Sequence, residues 1–354
     1  MGDVFATRRE ALRRKLKENG LESYLVLHPA NRYYLSGFEL HDPQCNESAG
    51  CLLITVQGRD WLCTDGRFLE AARQCWPEET IFGYTGNRAG QLAEFLADKT
   101  KSLGFESRIM SHQLFDWLSS ELELVPSRGL VEEMRMIKDE SEIEALRHSC
   151  RLNHDVLTEL KSQRIAGRSE AAIAWELEKS FREGGASELA FPPIVASGVN
   201  AARPHHLPGT TEIQEQAPLL LDTGARLGNY CSDQSRTLWT GSRPTSEFQA
   251  TLDLVRQAQK LAIDSIRPDL AVRDLYIRVS EFFRKHGVAD SFPHALGHGI
   301  GLETHEPPGL GSTSRDVLQP GMVITIEPGL YYPGWGGVRW EHMVVVREHG
   351  AEVL

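Results

Sequence analysis

The sequence predicts an α+β protein of two domains, a smaller α/β domain over residues 1–128 and a larger α+β domain over residues 129–354. Three observations carry that reading. At 354 residues the chain is longer than one hydrophobic core usually organises. Through roughly the first 125 residues strand-like and helical runs alternate, the pattern of an α/β unit. Beyond residue 129 helices and strands come in blocks, and acidic residues and histidines sit at the ends of apolar runs.

The opening stretch MGDVFATRREALRRKLKENG has helical spacing and dense charge. YLVLHP (24–29), GCLLITV (50–56) and DWLCTD (60–65) are short apolar runs closed by Pro, Gly or Asp, and read as strands. RFLEAARQC (67–75) changes to helical spacing. QLAEFLADKTKSLG (91–104) reads as a helix stopped by glycine, and SRIMS (107–111) as a strand before LFDWLSSEL. VPSRG (125–129) marks the domain boundary. The segment from Leu130 to Gln163 then reads as one long helix with room for a kink, its apolar side carried by Ile143, Leu146, Cys150, Val156 and Leu157. Ser169 is set to cap a helix that Gly184 and Gly185 end, with Glu170 in its first turn. Further helices run from Thr245–Ser246 to Pro268 and from Asp269 to Lys285. PLLLDTG, RTLWT, MVITIEPG and VRWEHMVVV are strand-like. No period of 20–50 residues repeats, which excludes a solenoid.

Hydrophobic residues at 41% and charged residues at 25% are those of an ordinary globular chain. Acidic residues outnumber basic ones by 49 to 38, a net charge of −11 that argues against nucleic-acid binding, because phosphates are held by Lys and Arg. No apolar run approaches the 18 residues of a membrane span, and the N-terminal stretch lacks the apolar core of a signal peptide. Cys45, Cys51, Cys63, Cys75, Cys150 and Cys231 form no CxxC pair, so neither a zinc knuckle nor a disulfide framework is expected. A reducing cytoplasm follows as the expected location.

The chemistry concentrates in the last third. Asp222 ends a run of leucines and Asp233 lies between two strand-like pieces; read alone, both pass as turn aspartates. FPHALGHGIGLETHEPPG adds His294, His298 and His305, with glycines around His298 that let backbone approach closely. Glu327 follows one β run and Glu341 lies inside another. Four carboxylates at the ends of apolar strands are costly without compensating charge. Arg236 and Arg339 offer some. Two divalent cations match four carboxylates better, and His298 completes an N/O donor set suited to Mn, Co, Fe or Zn. His305 and Glu306 begin like HExxH, but Pro307 and Pro308 exclude that helical motif. No GxSxG or Cys–His arrangement competes.

In these residues the chain resembles the creatinase, aminopeptidase P and prolidase superfamily of metallopeptidases, with the pita-bread catalytic fold. FPPIVASGVNAARPHH, LDTGARLGNYCSDQSRT, HALGHGIGLETHEPP, IEPG and VRWE resemble its motifs in order. NRYYLSGF and LLITVQGRDWLCTDGRF are similar to its N-terminal domain. The resemblance implies a pita-bread domain over 129–354 and two divalent ions per chain, manganese first, with Co, Zn or Fe as alternatives. Asp222 would chelate one ion, Asp233 and Glu341 would bridge both, and His298 and Glu327 would complete the second. His205 would be the substrate-facing histidine, although His206 adjoins it. His294 and His305 match the two active-site histidines that are not ligands, and Arg339 the arginine before the last ligand.

The implied reaction is hydrolysis of the bond before proline by water activated between the ions. Glu327 would also move the proton and His305 would donate to the oxyanion. His294, His205 and Arg339 would orient the substrate. A surplus of positive donors favours an Xaa-Pro dipeptidase acting on short proline-containing peptides. The alternatives are an Xaa-Pro aminopeptidase taking longer peptides and a small-molecule amidohydrolase or lyase on the same site. A binding-only relative would have lost ligands, and none is lost. Phe191, Pro192, Pro193, Tyr230 and Trp335 are expected walls of a proline pocket. A homodimer is expected, with apolar loop groups such as Leu35 and Phe38 closing a partner's cleft. His342 stands where the family commonly has aspartate, and Ser235 where threonine is more usual.

Overall fold

The computed structural model describes residues 4–44 and 47–354, so Cys45 lies outside the described residues, as do the first three residues of the opening stretch expected to be helical. The chain divides into two compact units, Met1–Arg135 and Met136–Leu354.

Among the described residues the first unit holds six strands, β1 (Ser23–Val26), β2 (Cys51–Thr55), β3 (Trp61–Asp65), β4 (Ile81–Tyr84), β5 (Ser102–Glu106) and β6 (Glu123–Ser127). They form one mixed sheet in the order β4-β3-β2-β1-β5-β6. Leu25, Leu53, Leu103 and Phe105 fill its core with Leu92 and Leu96 of the helix Arg88–Lys99. Several expectations are corrected here. The helix stops at Lys99, and Gly104 is a strand residue: a Cβ there would lie 2.9 Å from Tyr24 Cδ2, so glycine lets β5 sit against Tyr24. The strand is therefore 102–106, and 107–111 is turn. Leu35 and Phe38 are 0% and 1% exposed in the single chain and offer nothing to a partner's cleft. Val125–Ser127, expected at the domain boundary, lies in the edge strand β6.

The expected long helix is two helices, Leu130–Met136 and Glu140–Ser162. Asp139 starts the second with a capping box, accepting from Ser141 and Glu142 while Glu142 reaches back to the Asp139 amide. Ile143, Leu146, Cys150, Val156 and Leu157 are all buried, as their spacing predicts.

In the second unit the strands are β7 (Glu188–Leu189), β8 (Ile194–Ser197), β9 (Pro218–Thr223), β10 (Ala225–Leu227), β11 (Tyr230–Cys231), β12 (Gln234–Trp239), β13 (His298–Gly299), β14 (Glu306–Gly309), β15 (Val323–Ile326), β16 (Gly329–Tyr332), β17 (Gly336–Arg339), β18 (His342–Arg347) and β19 (Gly350–Val353). They group as β12-β9-β8, β11-β10-β7, β14-β13-β15-β18-β19 and the hairpin β16-β17. Ser169 caps the helix Glu170–Glu183, and Thr245 caps Ser246–Ser265. Ile173, Leu177 and Phe181 pack with Leu219 and Leu221 of β9. Val255, Ala262, Val279 and Phe283 pack with Ile324 and Ile326 of β15. Burying each large apolar side chain contributes roughly 1.5–3 kcal/mol, so the strands that end in acidic residues are anchored from behind by helices.

VRWEHMVVV is not one strand. Arg339 pairs with Gly329 in the hairpin and His342 pairs with Ile326 in the five-stranded sheet. Glu341 sits at the break between them, its amide donating to the Ser235 carbonyl at 3.2 Å.

Candidate metal centre

Each acidic residue reaches the site from a different strand end. Asp222 lies on the central strand β9, opposite Ser235 of β12 and Ile194 of β8. Asp233 immediately precedes β12, Glu327 follows β15, and Glu341 occupies the β17–β18 break. His298 opens β13, where Gly297 and Gly299 make room. A Cβ on Gly297 would lie 2.0 Å from the Thr325 carbonyl oxygen, and one on Gly299 2.2 Å from that of Pro307.

The His298 ring is oriented by its backbone. Nδ1 lies 3.0 Å from the Gly299 carbonyl and so carries the proton, which leaves the Nε2 lone pair facing Asp233 Oδ2 at 3.6 Å and Glu327 Oε1 at 3.4 Å. Asp233, His298 and Glu341 each offer a donor atom within 4.8 Å of the others. Thr325 Oγ1 accepts from the His298 amide at 3.0 Å and donates to Glu327 Oε1 at 3.3 Å. Arg339, 3% exposed, donates from Nη2 to Asp222 Oδ2 at 2.5 Å, from Nη1 to the Tyr331 hydroxyl at 2.8 Å and from Nε to Ser235 Oγ at 2.7 Å.

Electrostatically the cluster is under-compensated. Burial, then the Glu341, Asp222 and Glu327 carboxylates, push Asp233 well above the usual carboxylate range. Burial and Glu341 do the same to Glu327, and burial and Asp222 push Glu341 up to about 7. Burial opposes the Arg339 charge, but Tyr331, Asp222 and Glu327 outweigh it and hold the guanidinium protonated. Burial, then neighbouring His305, lowers His298 to about 4, so its ring is neutral and available as a ligand. Asp222 Oδ1 and Glu341 Oε1 are buried without a hydrogen-bond partner. Unpartnered oxygens beside a neutral imidazole fit bound cations, because an orphaned buried acceptor otherwise keeps its full desolvation cost. The cluster is a set of donors able to hold a metal ion.

The other candidate residues divide. The His298 and His305 rings meet edge to face at 4.3 Å, and His305 is exposed. His294 uses both nitrogens, Nδ1 on the Ala295 carbonyl at 2.7 Å and Nε2 on the Tyr331 hydroxyl at 2.9 Å. Donation therefore runs from Arg339 to Tyr331 to His294, and burial followed by Arg339 lowers His294 to about 4. His206 is tied to buried Glu170 at 2.8 Å, while His205 is exposed. Tyr230 is buried and donates to Glu142 at 2.9 Å, which makes it a packing residue and corrects its expected place in a pocket wall. Phe191 and Trp335 are half-buried and Pro192 is exposed.

Sequence reasoning missed two organising residues. Tyr331 joins Arg339 to His294, and its only sequence signal is its place four residues after Glu327. Glu170, read as a helix-dipole residue, accepts from the Ser197 amide (2.9 Å), Asn200 Nδ2 (2.9 Å), the Gly209 amide (3.3 Å) and His206, and so holds the loop that carries His205.

Fold and site together define a metal-dependent peptidase. The chain belongs to metallopeptidase family M24, whose model matches residues 144–348, and a creatinase/prolidase N-terminal domain matches residues 8–137. The second unit is therefore that family's pita-bread catalytic domain. Among curated relatives, the uncharacterized peptidase YqhT of Bacillus subtilis is 34% identical over 98% of this chain and 96% of its own. Among solved structures, an Xaa-Pro dipeptidase from Bacillus anthracis is 32% identical with a TM-score of 0.92, covering 99% of this chain and 97% of its own. An X-Pro aminopeptidase from Thermotoga maritima is 31% identical with a TM-score of 0.85, covering 96% and 97%. Among the described residues, no helix is long and apolar enough to cross a membrane.

Proposed function

We propose that the protein is an Xaa-Pro dipeptidase, hydrolysing the bond before proline in short peptides, with Asp222, Asp233, His298, Glu327 and Glu341 holding two divalent cations. One observation carries the reading: crowded, buried carboxylates with unpartnered oxygens face a neutral imidazole. When bound, the ions supply Lewis acidity and the positive charge the carboxylates lack. Asp222 would hold one ion, Asp233 and Glu341 both, and His298 and Glu327 the other. Manganese is our favoured metal, ahead of Co, Zn and Fe.

The chain's own groups do the rest. Glu327, at the end of β15 beside His298, would take a proton from the attacking water and return it to the proline nitrogen as the bond breaks. His305, exposed beside His298, donates to the oxyanion as it develops. His205, on the exposed side of its loop, meets the substrate end. His294, kept neutral by burial and Arg339 and with both ring nitrogens engaged, would help orient the proline side of the substrate. Arg339 holds Asp222 and sets the Tyr331 hydroxyl. The likeness to an X-Pro aminopeptidase supports a second reading, cleavage of longer Xaa-Pro peptides.

A mass-spectrometric cleavage panel with Mn-, Co- and Zn-loaded protein tests the reading. Ala-Pro and Met-Pro are expected to exceed their Xaa-Pro-Ala tripeptides in kcat/KM. Preference for tripeptides moves the function to an aminopeptidase. Equal cleavage of Xaa-Ala refutes proline selectivity, and inactivity on every peptide with metal bound favours a small amide substrate. We also propose a cytoplasmic homodimer; sedimentation equilibrium that finds only single chains across a tenfold dilution contradicts the dimer.

A further inference from the structure

Gln259 is a buried amide outside the donor set, 5% exposed on the face of the helix Ser246–Ser265 that also buries Val255, Ala258 and Ala262. A polar group on an apolar helix face is costly unless its hydrogen-bonding atoms are paired. Its Nε2 donates to two main-chain carbonyls, that of Ile326 at 2.9 Å and that of Trp340 at 3.0 Å. Those residues immediately precede Glu327 and Glu341. Both glutamates lie off the regular ladders, Glu327 just past β15 and Glu341 in the break between β17 and β18. One side chain therefore ties together the two points at which these carboxylates leave the sheets. The same helix meets Trp340 a second time, with the Arg256 guanidinium carbon 5.0 Å from its ring centroid. Two carbonyls facing Nε2 fix which end of the amide is nitrogen, so Oε1 accepts from His342 Nδ1 at 3.0 Å. His342 follows Glu341 and pairs with Ile326 across β15 and β18. An aspartate at 342 could only accept, and would either oppose Oε1 or turn the amide over and draw Nε2 off the carbonyls.

We propose, on the two-cation reading, that Gln259 is a positioning residue of the metal centre: it sets the separation of Glu327 and Glu341, and His342 is the donor that keeps its amide turned to the two carbonyls. A ligand set works only if its oxygens are held to within about 0.5 Å, and a clamp on the backbone behind two ligands does this without touching the ions.

Manganese titration calorimetry on chelated full-length protein, together with the absorption spectrum of cobalt-saturated protein, tests this. Gln259→Met keeps the side-chain volume and removes both donors; manganese affinity is expected to fall about tenfold or more and the cobalt bands to shift. His342→Asn keeps a donor near the place of Nδ1 and is expected to hold wild-type affinity within about twofold. The isosteric His342→Asp is expected to weaken binding about tenfold, although its added negative charge alone would favour a cation. A lower melting temperature with unchanged manganese affinity and cobalt bands in Gln259→Met would make Gln259 a packing residue and overturn the proposal. So does equal affinity in His342→Asn and His342→Asp, a comparison that decides the matter if Gln259→Met fails to fold. Wild-type protein that binds no manganese overturns the two-cation reading and the proposal together, whereas variants that match a wild type holding two ions overturn the proposal alone.

Discussion

Arg339 donates from Nη2 to Asp222 Oδ2 across 2.5 Å, while Asp222 Oδ1 has no hydrogen-bond partner. One oxygen of that carboxylate is matched by the chain and the other is left for something else. The same guanidinium reaches Tyr331, Ser235 and the Pro204 carbonyl, so it ties the acidic cluster to the loop before His205.

Replacing this fork tests its geometry. Arg339→Lys keeps the charge but cannot serve four acceptors, and hydrogen bonds to charged groups contribute about 1.5–3 kcal/mol each. A fall in kcat/KM of about 10–100-fold is expected, mostly in kcat, with proline-peptide kinetics as the measurement. Unchanged kinetics would remove Arg339 from the site.

Neighbouring histidines should separate cleanly. His206 is held by buried Glu170, and His205 is exposed. His206→Ala is therefore expected to lower the melting temperature, at a cost of about 1–3 kcal/mol for the lost hydrogen bond to the buried Glu170 carboxylate. His205→Ala is expected to leave melting unchanged and lower kcat/KM. The reverse pattern, read by thermal unfolding and kinetics, would exchange their roles.

The metal-free protein should lose stability as pH rises above the ordinary histidine range. Asp233, Glu327 and Glu341 have raised folded-state proton affinities, Glu341 at about 7. The native state then binds more protons than the unfolded chain. Their contribution is complete below the unfolded pKa and is lost as pH rises through the folded value. His294 and His298, lowered to about 4, act oppositely, but their stability is lost only as pH falls below about 6.5. Between pH 6.5 and 8.5 the melting temperature of chelated protein is expected to fall by more than about 4 °C, while manganese-loaded protein holds its value. A chelated protein that gains stability over this range would contradict the raised proton affinities of the three carboxylates.

The Lys138–Glu306 pair is a stability element. Both side chains are nearly inaccessible and meet at 3.1 Å, just before the histidine loop turns into β14. Lys138→Met leaves the Glu306 charge buried and should cost about 3–5 kcal/mol. Denaturant unfolding showing a loss below about 1 kcal/mol would mean that Glu306 is neutral in the fold.

Much of the fold and most of the acidic cluster are legible in the amino-acid sequence. Apolar runs ended by Asp222, Glu327 and the His298 glycines mark strand ends, because a carboxylate after a hydrophobic run needs a reason. Helix starts at Ser169 and Thr245 follow from hydroxyl capping. What stays hidden depends on contacts distant in sequence. The VRWEHMVVV run shows no break, since Arg339 and His342 part only by pairing with different sheets. Gly104 looks like a helix stop until Tyr24 is placed against it. Glu170 and Tyr331 act through partners up to 39 residues away, which no local pattern encodes.

Whether five side chains hold two cations is tested most directly by elemental mass spectrometry on protein reconstituted with manganese and freed of excess metal, alongside Asp233→Asn. Close to two ions per chain are expected in the wild type, and fewer in the variant, because a carboxylate shared by both ions is lost. A saturated stoichiometry of zero or one in the wild type, or two ions retained in Asp233→Asn, would contradict the paired-cation centre.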